Sequence, residues 1–82
     1  MNFAARVGEE LHEIAVRRVD ANYVVNLDGV EHVIDARKLE ADFYSILYEG
    51  KSYEVAVEAV GPRYVVRHGA NEMIVELADA SR

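Results

Sequence analysis

The chain has 82 residues, enough for one domain, and carries 9 Lys+Arg against 15 Asp+Glu for a formal charge of -6. That balance argues against phosphate-driven nucleic-acid binding and against docking on an anionic membrane. Cysteine is absent, which excludes disulfides, thiolate metal sites and thiol nucleophiles. With 51% hydrophobic residues the chain is of folding composition, yet one this short hides only roughly 60% of the surface of its unfolded form, so packing alone must stabilise a small core.

Residues 1–12 read differently from the rest. Phe3, Ala4, Val7 and Leu11 recur at helical spacing and Asn2 stands where a cap would, while Gly8 weakens the pattern. The segment is expected to be a short helix or a mobile lead-in. It lacks the apolar centre of a signal peptide, and no run is long enough to span a bilayer, so the cytoplasm is the expected location.

From Glu13 the period becomes two, and residues 13–79 read as an antiparallel β domain. Ile14 and Val16 alternate with polar neighbours, as do Tyr23, Val25 and Leu27. Asp28-Gly29 is a two-residue turn signal, and Val30, His32 and Ile34 complete the first hairpin. The polar stretch Asp35–Asp42 reads as a loop or one helical turn. Tyr44, Ile46 and Tyr48, the turn Glu49-Gly50, then Tyr53, Val55 and Val57 form a second hairpin. Gly61-Pro62 breaks the run, and Tyr64 and Val66 lead through His68-Gly69-Ala70-Asn71 to Met73, Val75 and Leu77. Residues 80–82 read as a frayed tail. Each hairpin starts at a tyrosine, a period of roughly twenty residues that shared hairpin physics explains without a repeat array. The fold class is therefore all-β: a meander of about seven short strands whose apolar faces close into a small barrel or a compact sandwich.

No catalytic motif stands out. His12, His32 and His68 sit in separate segments without metal-ligand spacing. Glu54 and Glu58 bracket Ala56 on a polar face and read as solvated, with cross-strand partners such as Arg67. Ser45, Ser52 and Ser81 lie outside any nucleophile elbow, and no glycine-rich loop can cradle phosphate. Arg17-Arg18 and Arg37-Lys38 are isolated basic pairs. Tyr44, Tyr48 and Tyr53 are expected to cluster across one hairpin. Tyrosine at the rim of a core suits a protein interface, so Arg17, Arg18, Tyr44 and Tyr48 are the candidate partner contacts.

Three phrases in the hairpins carry a family likeness: Tyr23-Val24-Val25-Asn26-Leu27-Asp28-Gly29, the run Tyr44 to Glu58 around Glu49-Gly50-Lys51-Ser52-Tyr53-Glu54-Val55, and Tyr64-Val65-Val66-Arg67-His68-Gly69. Over residues 14–79 the chain resembles the module that precedes the biotinyl domain in biotin carboxyl carrier subunits of acetyl- and propionyl-CoA carboxylases. The resemblance implies a β-barrel-like domain that docks biotin carboxylase or carboxyltransferase components and does no chemistry itself. Biotin would sit on a lysine in an Ala-Met-Lys-Met motif of a downstream domain. Lys38 and Lys51, the only lysines here, lack methionine neighbours, so this chain binds no cofactor in that reading. Ala80-Ser81-Arg82 would fall where the linker to that domain begins. The competing expectation is a free-standing barrel that binds a peptide or small ligand. An enzyme is the least supported class.

Overall fold

The computed structural model describes residues 1–79, so the tail at 80–82 lies outside the described residues. Eight strands follow in chain order: β1 (Asn2–Val7), β2 (Glu10–Val19), β3 (Asn22–Leu27), β4 (Val30–Glu40), β5 (Phe43–Tyr48), β6 (Lys51–Val60), β7 (Arg63–His68) and β8 (Asn71–Asp79). Each pairs antiparallel with the next, and β8 returns to β1, with Val75 opposite Val7. The result is a closed up-and-down barrel rather than a sandwich, and closure leaves no open sheet edge.

Two expectations are corrected. The first twelve residues form no helix; they are β1, a turn and the start of β2. A spacing of four fits both a helix and a strand, so Phe3 and Val7 satisfied either period, and the small Ala5 between them hid the alternation. Gly8 then takes φ 62° and turns the chain. The polar stretch Asp35–Asp42 is no loop either. Residues 35–40 complete β4, with a bulge between Lys38 and Glu40, and only Ala41 and Asp42 turn.

Every connection is a two-residue turn. Asp28 and Gly29 have φ of 51° and 90°, and Glu49 and Gly50 have 50° and 77°, the two positive values a type I′ turn requires. Ala41 holds φ 48° without the local side-chain hydrogen bonding that helps Asp or Asn there. Ala41→Gly should therefore raise stability by about 0.5–1 kcal/mol, read as a higher urea midpoint at unchanged slope.

The four even-numbered strands are long because each serves two neighbours in succession. In β2, residues up to Ala15 pair with β1, and residues from Ile14 pair with β3. In β4, Val30–Ile34 face β3 and the rest faces β5. Summed around the ring, the register offsets give a stagger of about 16 residues, twice the strand number. A stagger that large tilts the strands steeply and widens the ring, consistent with extents of 32 × 28 × 19 Å.

Width has a direct consequence for the core. Directly paired residues share a face, so one set runs continuously around the wall: Ile14, Leu27 and Val30, for example, or Ala36, Ile46 and Tyr53. This set points inward. Only Ala5 of the inward side chains is buried, and no large side chain is fully covered. The inward residues do not meet tightly at the axis. The outward set carries most of the charges, including Glu13, Arg17, Glu31, Glu54, Glu58, Arg67 and Glu72, while Glu10, Arg18, Lys38 and Lys51 fall on the inward register near the strand ends.

Candidate functional site

The strands place equivalent residues at equivalent stations. The second residue of each short strand is aromatic and inward: Phe3, Tyr23, Tyr44 and Tyr64. The third residue of each long strand is His12, His32, Tyr53 or Met73, at the opposite end of the interior. The tyrosine period seen in the sequence thus belongs to four stacked hairpins, the first of which uses phenylalanine.

At the end marked by the Asp28-Gly29 and Glu49-Gly50 turns, the wall opens onto a cavity of about 370 Å³. Val25, Leu27, Ile34, Ile46 and Val55 supply its aliphatic side. Four rings supply the rest. His32 Nδ1 lies 2.7 Å from the Tyr48 hydroxyl, with the rings edge-on at 5.5 Å, and the Tyr53 and His68 rings lie 5.6 Å apart at 57°. Both contacts join the third residue of a long strand to the last residue of the next short strand. The surface the lining presents is apolar, and within it the His32 Nδ1 and the Tyr48 hydroxyl are paired.

His12 occupies the corresponding station but finds a different partner. Its Nδ1 lies 2.5 Å from an Asp28 carboxylate oxygen, and its Nε2 lies 3.4 Å from Glu10. The other Asp28 oxygen accepts the Glu13 N–H at 2.7 Å, while the Asp28 N–H donates to the Glu13 carbonyl at 2.9 Å. The β3–β4 turn is thereby tied to β2. The Asp28 hydrogen bond raises the His12 pKa above 6.5 against an opposing desolvation, with the Asp28 charge and Glu10 adding to the rise. The His12 bond, then the Glu13 N–H, lowers that of Asp28 below 3.8. A raised histidine stabilises fully below its unfolded pKa and loses that contribution as pH rises through the folded value. A lowered carboxyl stabilises above its unfolded pKa and loses it as pH falls. The pair therefore helps most between about pH 4 and 6.5. In urea titrations across pH 4–9, the stability gap between the native protein and His12→Asn should shrink above that window; a gap independent of pH would refute the coupling.

The four candidate partner contacts do not share one surface. Arg17 points outward and reaches across β3 to Glu31 at 3.4 Å. Arg18 lies on the inward register, its guanidinium 5.1 Å from the Tyr23 ring centre and 3.1 Å from the Tyr23 hydroxyl. Tyr44 and Tyr48 face inward at opposite ends of β5, Tyr48 in the cavity. Of the expected tyrosine cluster, Tyr48 and Tyr53 do share a wall. Arg67 pairs with Glu58 at 3.3 Å, the expected cross-strand partnership, and also with Glu72 at 3.0 Å.

The outward face carries large apolar side chains as well. Val33 is 54% exposed on β4 and Leu47 is 46% exposed on β5, diagonal neighbours on adjacent strands. Leu39 and Phe43, flanking the next turn, are 54% and 49% exposed. Sequence reading passed over these residues because half of every apolar run was assigned to the core.

Among the described residues, no group of three or more His, Asp or Glu side chains is placed to hold a metal ion. No helix among them is long and apolar enough to cross a membrane. No protein-family model matches the chain, and no curated protein matches it.

Proposed function

We propose that this chain is a non-catalytic interaction module that docks a component of a biotin-dependent acyl-CoA carboxylase, biotin carboxylase or carboxyltransferase, in the cytoplasm. The observation that carries the reading is two exposed apolar pairs on the outer face of β4 and β5, Val33 with Leu47 and Leu39 with Phe43, separated by Asp35, Arg37 and Ser45. A partner that covers both pairs removes their apolar area from water. Leu47 lies within, and Phe43 next to, Tyr44–Glu58, the longest of the three phrases that resemble the carrier module. Biotin in this reading belongs to a downstream domain of a longer subunit, and no residue here takes part in chemistry. The test offers purified carboxylase and carboxyltransferase components to the immobilised protein. One of them should be retained and should be released by Leu47→Lys, which puts a charge beside Val33. Retention of neither at low salt sinks the reading. A second reading, a free-standing binding barrel, is favoured by the apolar cavity.

A further inference from the structure

We infer that the barrel interior at the His32–Tyr48 end is a binding site for a small, uncharged, flat apolar molecule. This goes beyond the docking reading and rests on the second one, that the interior holds an occupant.

Three observations choose the occupant. The first is size. A cavity of about 370 Å³ lies at the small end of ligand pockets, which run about 300–1,000 Å³. A helix about 10 Å wide, crossing even the shortest dimension of 19 Å, would fill about 1,500 Å³. A bicyclic aromatic molecule fits; a protein segment does not.

The second is polarity. The lining contains no Lys, Arg, Asp or Glu, and the surface it presents is apolar, with the His32 Nδ1 and the Tyr48 hydroxyl paired at 2.7 Å. A charged group brought inside would exchange its hydration for an apolar surface. The third is shape. Two tilted ring pairs, His32 with Tyr48 and Tyr53 with His68, are set among the aliphatic side chains, with His32 opposite Val25 and Tyr53 opposite Ile46 in the strand register. Their geometry presents ring faces and edges to a flat guest, which aromatic quadrupoles favour over a bulky one. The wide ring makes the space, because its own side chains leave the centre open.

The experiment uses the full chain and the neutral dye N-phenylnaphthylamine, whose emission rises on leaving water. Saturable one-to-one enhancement is expected, displaced by naphthalene. Ile46→Trp and Val55→Trp, each filling the cavity, should weaken binding at least tenfold, and the outward Glu54→Gln should leave it unchanged. Bound dye should also shift the ring-proton resonances of Tyr48 and Tyr53 in the native protein, a readout independent of whether the filling variants fold. Absence of saturable binding up to the dye's solubility overturns both the inference and the binding-barrel reading. Shifts confined to Val33 and its outward neighbours also overturn both. Displacement by dodecanoate at tenfold lower concentration than by dodecanol overturns the uncharged class alone. Interior occupancy by a second copy, seen as a sedimenting dimer whose formation excludes the dye, overturns the small-molecule occupant.

Discussion

Ile46→Asn should destabilise the protein by about 3 kcal/mol, whereas Leu47→Asn, one residue further, should cost under about 1 kcal/mol. Ile46 faces inward between Ala36 and Tyr53, and Leu47 faces outward opposite Asp35 and Ser52. The first variant loses apolar area that is half-buried and places an amide in an apolar lining. The second changes a side chain that is already 46% exposed. A domain of this length has roughly 4–12 kcal/mol in total, so the inward change consumes a large share of it. Urea unfolding followed by circular dichroism decides the matter. Equal effects at the two positions would mean that the inward face is solvated and the barrel does not close as described.

Gly29→Val should cost about 2 kcal/mol, and Gly29→Asn well under half of that. Gly29 holds φ 90° as the second central residue of its turn. Nothing lies within 4 Å of the position a Cβ would take, so the penalty comes from the backbone and not from collision. Valine is branched at Cβ and resists positive φ, whereas asparagine tolerates it. The same turn presents Asp28 to His12 and Glu13, so distortion would also disturb the tie to β2. Thermal midpoints of both variants are the check, and a valine variant as stable as the asparagine one would show that the turn relaxes to another geometry.

The hairpins were legible because their signals are local. Asp28-Gly29 and Glu49-Gly50 each specify a turn through the φ their residues tolerate, and the alternation around them assigns side chains to faces without reference to the rest of the chain. The first strand was missed because Phe3 and Val7 lie four apart, a distance both periods share, and because Ala5 is too small to declare a face. The end of β4 was missed because charges stand on both its faces, Asp35 and Arg37 outward and Lys38 inward, and a strand bulged between Lys38 and Glu40 resembles a loop in composition. Arg17 and Arg18 are neighbours in the sequence but point to opposite sides of the wall, whereas Tyr44 and Tyr48, four apart, both face inward at opposite ends of β5.

What the sequence determined by itself is the class of the protein: all-β, antiparallel, turned by glycine and aspartate, acidic outside and apolar within. What only the tertiary structure decided is the ring. Stagger is a sum over eight pairings, each depending on which residue of one strand meets which of the next, and no single hairpin contains it. Closure brought β8 to β1, and the stagger placed His32 beside Tyr48 and Tyr53 beside His68. It also held the inward side chains too far apart to fill the centre. The apolar stripe is a local property, but the space it encloses is set by the width of the closed barrel.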